Sequence, residues 1–217
     1  MFFLLHVAYR KLKEKIKERR LLKKHPFFAK VDQAISKSYQ NKNPYHLCHR
    51  FFEQRGDSNP FVYGETPLIV FDKIATFLKL KEDDVFVDLG CGRGRGLFYL
   101  NGVYKLKCIG YDIVEDFIIL GNALAKKENL SSKVIFEKKD IAKEPLPTAC
   151  AIYLAGTCML DEEIRQVAQK LSHTCAKTTI VTVSFPLSDY FPSFSIVNTL
   201  EVEFLWGKTT LYFQTTV

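Results

Sequence analysis

The sequence predicts an α/β fold: a seven-stranded, mostly parallel sheet that ends in an antiparallel hairpin and follows a helical N-terminal segment. Three observations predict it. Short β-rich runs alternate with helix-like segments through the middle of the chain, which is typical of a parallel sheet covered on both faces. Two β-rich runs close the chain, and a stretch without glycine or proline opens it. With 47% hydrophobic residues, the 217-residue chain can bury a sizeable core.

The predicted elements follow in chain order. Helices are expected over 28–54, with a break near Asn43 and Pro44, and over 67–79, with a loop between them at 55–67. Strands are expected at 84–89, 106–112, 132–138, 149–155 and 177–184. The helices between these strands are expected at 94–104, 114–129 and 160–172. Two final strands, 195–205 and 209–217, should form a hairpin at one edge of the sheet.

The basic charge of the chain is confined to its start. Residues 1–25 carry nine Lys or Arg and two Glu, whereas the other 192 residues carry 22 charges of each sign. Two interpretations stay open: a capping helix with a solvated basic face, or contact of residues 10–24 with an anionic membrane surface or nucleic acid. The charge follows the apolar residues, which is the reverse of a signal peptide.

The six cysteines are scattered and form no C-x-x-C pair. This pattern argues against a zinc site or a disulfide framework, so no metal is expected and the reducing cytoplasm is the expected compartment. No apolar run reaches the roughly 18 residues that a membrane span needs.

The stretch VFVDLGCGRGRG, residues 85–96, carries the strongest functional signal. Gly90, Gly92 and Gly94 follow a predicted strand and open a predicted helix, so backbone N–H groups can approach a ligand closely. A P-loop needs Lys-Ser/Thr after its last glycine, and a dinucleotide loop needs G-x-G-x-x-G; both patterns are missing. D-x-G-x-G-x-G is instead typical of Rossmann-like domains that bind S-adenosylmethionine.

Three aspartates extend this signal. Asp112 ends the next strand, 22 residues after Gly90, as expected for a carboxylate that accepts from ribose hydroxyls. Asp140 follows the third strand, where it can accept from the adenine amino group. Asp88 lies under the loop and can hold its N–H groups or the ammonium group of the ligand. The structural alternatives are a helix N-cap for Asp112, a surface turn residue for Asp140 and a plain strand-end residue for Asp88. Cys91 is interpreted as a small loop filler.

Three stretches together carry a family resemblance: FVYGETP at 61–67, DDVFVDLGCGRGRG at 83–96 and EFLWGKTTLYFQ at 203–214. They resemble the disruptor-of-telomeric-silencing class of histone lysine methyltransferases, and the chain looks most similar to a small bacterial member. The resemblance covers roughly residues 60–217. It implies an S-adenosylmethionine-dependent methyltransferase domain at 56–217, preceded by a basic helical arm at 1–55.

The resemblance also implies roles for single residues. Tyr63, Glu65 and Thr66 would lie in a loop that closes over the methionyl end of the cofactor, with Glu65 pairing with the ammonium group. Arg95 would contact the carboxylate of the cofactor, for which a guanidinium is suited. Ile141 would pack on the adenine ring. For Glu65 and Arg95, a turn residue and a solvated arginine are the structural alternatives.

One segment departs from the pattern of that class. Two consecutive asparagines and then aromatic residues follow the fourth strand in the family, whereas Ala155, Gly156 and Thr157 stand here. This difference bears on the methyl acceptor rather than on the cofactor. Tyr212 and Thr157 are the candidate catalytic residues of a lysine channel. Phe185 and Trp206 are further channel candidates, with core packing as the alternative for both.

The sequence therefore predicts methyl transfer by direct displacement to a protein side chain, a lysine amine. An apolar channel favours the neutral amine, because desolvation lowers its pKa. Three alternatives stay open. The protein could be a small-molecule methyltransferase, a nucleobase amino-methyltransferase, or a non-catalytic S-adenosylmethionine-binding adaptor that docks through the basic arm. The Pro-Pro motif of the nucleobase enzymes is missing after the fourth strand.

Overall fold

The structure, a computed structural model, describes residues 2–56, 63–174 and 177–217, with side chains from residue 9 onward in the first range. Residues 57–62 of the predicted loop lie outside the described residues, as does Cys175. None of the described helices is long and apolar enough to cross a membrane.

Within the described ranges, four helices precede the first strand. They are α1 (Phe2–Lys24), α2 (Pro26–Ser38), α3 (Pro44–Gln54) and α4 (Leu68–Leu78). Pro26 and Pro44 stand in the first turn of α2 and α3, where a missing N–H removes no helical hydrogen bond. The side chain of Asn43 accepts from the N–H of Tyr45 at 3.0 Å and so caps α3. The predicted break near Asn43 is therefore a helix start.

The second part of the chain forms the sheet and its covering helices. The elements are β1 (Val85–Leu89), α5 (Arg95–Tyr104), β2 (Lys107–Asp112), α6 (Glu115–Lys127), β3 (Val134–Lys138), β4 (Ala151–Leu154), α7 (Asp161–Leu171), β5 (Thr179–Val183), β6 (Phe194–Phe204) and β7 (Gly207–Thr216). A short 3-10 turn at Leu187–Asp189 lies between β5 and β6.

The strand order is β3-β2-β1-β4-β5-β7-β6. Strands β1 to β5 are parallel, and β7 runs antiparallel to both β5 and β6. The predicted fold class is therefore confirmed, with the hairpin at the sheet edge and β6 as the outer strand. Strand order reverses at β1, whose last residue Leu89 pairs with Tyr111 of β2 and Leu154 of β4. Ligands bind outside the carboxyl ends of the strands at such a switch point.

The N-terminal helices pack onto the same core as the sheet. Leu21 of α1 and Phe28 of α2 belong to the hydrophobic cluster that contains Leu97 and Phe98 of α5. Phe28 is 1% exposed, and burial of such a side chain stabilises the fold by about 2 kcal/mol. From Leu21 onward, the N-terminal arm therefore packs on the domain as the capping interpretation expects.

Candidate active site

A cleft opens at the switch point and contains about 980 Å³ of free space, counting the part that is open to solvent. One side comes from the loop after β1, including Gly90 and Gly92. A second side comes from the residues after β2 and β3, including Asp112 and Ile141, and the third from residues 155–159 after β4. The cleft thus gathers the ends of four strands around one space.

The glycine loop fits closely under its neighbours. Gly90 (φ 83°) and Gly94 (φ 66°) both have left-handed backbone conformations that favour glycine. A Cβ on Gly94 would overlap the ring of Phe136 on β3, whereas a Cβ on Gly90 would meet open space. The N–H groups of Gly90 and Cys91 donate to the carbonyl of Tyr111 at 2.8 and 3.0 Å. The loop is therefore fixed to β2, with Gly90 bordering the free space of the cleft.

Asp112 connects the glycine loop to the end of β2. Its Oδ2 accepts from the N–H of Gly92 at 2.8 Å, and its Oδ1 accepts from the N–H of Val114 at 2.9 Å. Burial raises the pKa of Asp112 to about 6, although the two backbone hydrogen bonds oppose this shift. The remaining acceptor capacity of the carboxylate borders the cleft, which is where the sequence predicts a ribose contact.

Asp88 lies behind the loop and is only 5% exposed. Within the part of the chain that the structure describes, no donor is hydrogen-bonded to its carboxyl group. Burial, reinforced by the charge of Asp112, raises the pKa of Asp88 to about 8. A buried carboxyl group without a donor is costly. The site therefore fits a ligand that brings a cationic or N–H group close to this position.

Asp140 and Ile141 both line the cleft beyond the end of β3. The Oδ1 of Asp140 accepts from the N–H of Ala142 at 3.2 Å, and its Oδ2 pairs with Lys143 at 3.0 Å. Asp140 therefore also fixes a turn, as its structural alternative proposed. Its contact with adenine, and the packing of Ile141 on the ring, stay predictions.

The loop that was expected to close over the cofactor is held to the glycine loop. Both carboxylate oxygens of Glu65 accept from Arg93, with the shortest N–O distance at 2.6 Å. The guanidinium of Arg93 also lies over the ring of Tyr39, 5.4 Å from its centroid. Tyr63 lines the cleft, whereas Thr66 is hydrogen-bonded to the Tyr153 hydroxyl at 2.7 Å.

Two features of this arrangement differ from the sequence-based expectation. Glu65 already has a cationic partner in the protein, so it does not stand open for the ammonium group of the cofactor. Arg93 was not singled out by the sequence. The sequence shows only that Arg93 is a basic residue between Gly92 and Gly94, 28 positions after its partner Glu65.

Arg95 is also engaged elsewhere. Its Nε donates to Asp32 on α2 at 2.6 Å, and its Nη1 and Nη2 donate to Glu18 on α1 at 2.9 and 3.1 Å. All three side chains are at most 15% exposed, and Arg95 is not among the described residues that line the cleft. The guanidinium therefore joins the first two helices to the start of α5. No motif could reveal this role, because both partners lie in the segment outside the resemblance.

The segment that departs from the family pattern does line the cleft. Ala155, Gly156 and Thr157 all border it, and Gly156 has a left-handed backbone (φ 64°). A Cβ on Gly156 would lie 2.8 Å from the ring of Phe185, which therefore packs directly against this segment. A Cβ on Gly64 would lie 3.5 Å from the Oγ1 of Thr157, so the closing loop and the acceptor side meet here.

The other channel candidates lie outside the described lining of the cleft. Tyr212 sits on β7, paired with Thr182 of β5 and Thr199 of β6. Trp206 is 52% exposed in the hairpin turn, where its ring stacks on Phe204 with 4.4 Å between centroids. Of the four residues expected in a lysine channel, the described cleft brings only Thr157 to its surface.

Helix α3 supplies a wall that the sequence did not predict. Cys48, Phe52 and Arg55 from this helix and its end all line the cleft. Phe117 of α6 lines it as well, and its ring lies 5.5 Å from that of Tyr63. The N-terminal helices therefore take part in the site and do not only cap the core.

Residues 80–186 match the family described as a methyltransferase domain, which is just under half of the chain. The chain carries a methyltransferase domain. The match spans the glycine loop, Asp112, Asp140 and the segment after β4. The cofactor of this domain is S-adenosylmethionine, and the donor-free carboxyl group of Asp88 fits its cationic character.

Two curated relatives align with part of the chain. A probable chloroplastic tocopherol O-methyltransferase of Oryza sativa subsp. japonica is 27% identical over 107 residues, which are 47% of this chain and 30% of the relative. The phosphoethanolamine N-methyltransferase of Plasmodium falciparum is 30% identical over 92 residues, which are 40% of this chain and 34% of the relative. The aligned segments span about a third of the length of these relatives.

An RNA methyltransferase from Salinibacter ruber, solved in complex with S-adenosyl-L-homocysteine, has a similar structure. The TM-score is 0.58 at 21% sequence identity, and the alignment covers 71% of this chain and 94% of that one. This likeness shows the fold. The more specific resemblance to the disruptor-of-telomeric-silencing class stays a prediction.

Proposed function

We propose that the whole protein is an enzyme that methylates an amine at the cleft. The observation that carries this proposal is the arrangement of Asp112 and Asp140 with the glycine loop around one space, with the buried carboxyl group of Asp88 directly behind the loop. These carboxylates come from the ends of three different strands, and the fold alone would not require an acid at each. A ligand with one cationic end and several hydroxyl and amino groups accounts for all three.

In this proposal, different residues of the cleft bind different parts of the cofactor. Asp112 would accept from the ribose hydroxyls, and Asp140 with Ile141 would bind the adenine end. Asp88 would favour the cationic end from behind the loop. When bound, S-adenosylmethionine supplies a methyl group on a sulfonium cation. The contribution of the chain is to orient the reactants and to keep water out.

The thiol and phenol groups of the cleft suit an amine better than an acceptor that would need one of them as a base. Burial raises the pKa of the Cys48 thiol, the Cys158 thiol and the Tyr63 hydroxyl. These groups therefore stay protonated at neutral pH and do not serve as bases. A neutral amine needs no base before attack, and the apolar surfaces of Phe52 and Phe117 favour that neutral form by desolvation.

A small-molecule amine is the acceptor that the cleft supports best. The wall formed by α3 borders the space beside the segment after β4, and three of the four expected lysine-channel residues lie outside the described lining. The names of both curated relatives refer to small molecules, and one relative is an N-methyltransferase.

A lysine amine of a protein is the second candidate. It is supported by the resemblance of three stretches to the disruptor-of-telomeric-silencing class. Thr157 at the cleft and Tyr212 on β7 remain its candidate catalytic residues. Tyr212 would have to approach the cleft for this activity.

Transfer of a labelled methyl group tests both candidates. The purified protein and labelled S-adenosylmethionine are incubated with a cell extract, and the small-molecule, protein and nucleic-acid fractions are counted separately. Asp112→Asn is the inactive comparison, because it removes a charge at the cleft and preserves size. Asp189→Ala, at an exposed aspartate of the 3-10 turn, is the matched control and should behave like the unchanged protein.

The fraction that carries label decides between the candidates. Label in small molecules, lost in Asp112→Asn, is the expected result. Label in a discrete protein band would favour the lysine amine of a protein over the small-molecule amine. Label in nucleic acid would overturn both, and absence of transfer with intact cofactor binding would identify a non-catalytic binding protein.

A further inference from the structure

The outward face of α1 carries an apolar stripe without a partner. Tyr9, Leu12 and Ile16 are 63%, 57% and 42% exposed. Their spacing of three and four residues places them on one side of the helix. Single exposed apolar residues are common on protein surfaces, but three in line on one helix form a continuous strip. Two helical turns after Ile16, the same side of the helix carries the exposed cation Lys23.

Cations flank this stripe on both sides. Lys15 and Arg19, four residues apart, lie along one flank, and Arg20 and Lys24 lie on the other. These four side chains are exposed, and none forms an ion pair within the described part of the chain. The outward face therefore combines a narrow apolar strip with free positive charge.

The two acids of α1 point the other way. Glu18 pairs with Arg95 at 2.9 Å on the inner face, and burial raises the pKa of nearby Glu14. Two further cations, Lys13 and Lys17, are used within the protein, since both pair with Glu203 on β6. The acids of α1 and the cations that pair within the protein thus lie toward the domain. The exposed cations beside the apolar strip have no acidic partner in the described part of the chain.

We propose that the outward face of α1 docks on an anionic lipid surface. A helix with an apolar strip between cationic flanks can bury the strip at the boundary of headgroups and acyl chains, while the flanks meet negative headgroups. The aliphatic side chains of Leu12 and Ile16 favour lipid over nucleic acid. Contacts to a nucleic-acid backbone would use the cations and leave those two side chains in water. The inner face stays bound to the domain, so the whole protein would be held at the surface through α1.

Vesicle flotation with the full chain tests the proposal. The vesicles contain phosphatidylcholine alone or phosphatidylcholine with phosphatidylserine. We expect binding only to the anionic vesicles, weakened by added salt. Leu12→Ser with Ile16→Ser, and separately Lys15→Glu with Arg19→Glu, should each lower the apparent affinity at least about tenfold. Lys126→Glu with Lys127→Glu on the exposed face of α6 is the matched control and should bind like the unchanged protein.

Each outcome of this experiment decides the proposal. Matching circular dichroism melting curves show that a loss of binding is not a loss of folding. Absence of binding to anionic vesicles would overturn the proposal, as would an equal loss in the α6 control. Unchanged vesicle binding of the serine variant, together with binding of duplex DNA or tRNA that Lys15→Glu with Arg19→Glu abolishes, would assign the face to nucleic acid instead.

Discussion

Arg93 holds Glu65 through a bidentate ion pair, with Nη2 2.6 Å from Oε2 and Nε 3.0 Å from Oε1. The pair joins the loop before α4 to the glycine loop after β1. A Cβ on Gly92 would lie 2.9 Å from the ring of Tyr63, so the two loops also touch directly. Two segments that border the cleft are therefore held in register by one mostly buried contact.

Removing this contact should weaken cofactor binding. Glu65→Gln cannot form the charged bidentate pair, and Arg93→Lys replaces the planar guanidinium by a single ammonium group. A double-mutant cycle on the Kd of S-adenosylmethionine, measured by calorimetry, should give a coupling energy of about 1–2 kcal/mol. Additive effects of the two substitutions would show that the pair does not position the loop for the cofactor.

The ion-pair network of Arg95 should matter for stability rather than for binding. Asp32→Asn leaves a mostly buried guanidinium short of charge compensation, so the free energy of unfolding should fall by about 3 kcal/mol. Urea denaturation measures this change. Glu203→Gln, which removes the more exposed pairs with Lys13 and Lys17, is the comparison and should cost about 0.5 kcal/mol or less. An equal loss of unfolding free energy in both variants would show that the Arg95 network contributes no more than a solvent-exposed ion pair.

The fold was predictable because its signals are local. The alternation of strands and helices, the glycine turn from β1 into α5 and the break at Pro44 all depend on residues within a few positions of one another. The extra wall from α3 and the inner face of α1 depend on tertiary packing, which no local pattern specifies. The domain boundary at residue 55, the cytoplasmic location and the bacterial origin stay predictions.

The protonation of Asp88 should make stability depend on pH when no cofactor is bound. Its pKa rises from the usual 3.8 to about 8 in the folded protein, so folding favours the protonated form. That contribution is fully present below the ordinary pKa and is lost as the pH rises toward about 8. Urea denaturation across this range should show Asp88→Asn gaining stability relative to the unchanged protein as the pH increases. A constant difference would mean that Asp88 is ionised throughout.

Two glycines of the loop should separate binding from folding. Gly90→Ala adds a methyl group toward open space and costs only about 1–2 kcal/mol of left-handed strain, so the protein should fold and lose cofactor affinity. Gly94→Ala combines similar strain with overlap of the Phe136 ring, so it should destabilise the fold by about 3 kcal/mol or more. Thermal melting and cofactor titration of both variants check this contrast. Normal cofactor binding by Gly90→Ala would show that the cofactor does not occupy the space beside Gly90.

The sequence placed the candidate cofactor residues Asp112, Asp140 and Ile141 at the cleft, whereas it placed only one of the four candidate channel residues there. Asp112, Asp140 and Ile141 follow strand ends, and parallel strands bring such positions to one edge. The partners of Glu65 and Arg95 are 28 and 63 residues away in the sequence, so their ion pairs could not be read from a motif. The resemblance alone suggested Tyr212 as a channel residue. In the structure its pairing within β7 puts it outside the described lining of the cleft.

Calorimetric titration with S-adenosylmethionine measures directly whether the carboxylates around the glycine loop hold this cofactor. We expect one molecule to bind per chain, with a severe loss of affinity in Asp112→Asn and unchanged affinity in the exposed control Asp189→Ala. Absence of binding by a folded protein, or equal affinity in Asp112→Asn, would show that these carboxylates do not hold the cofactor.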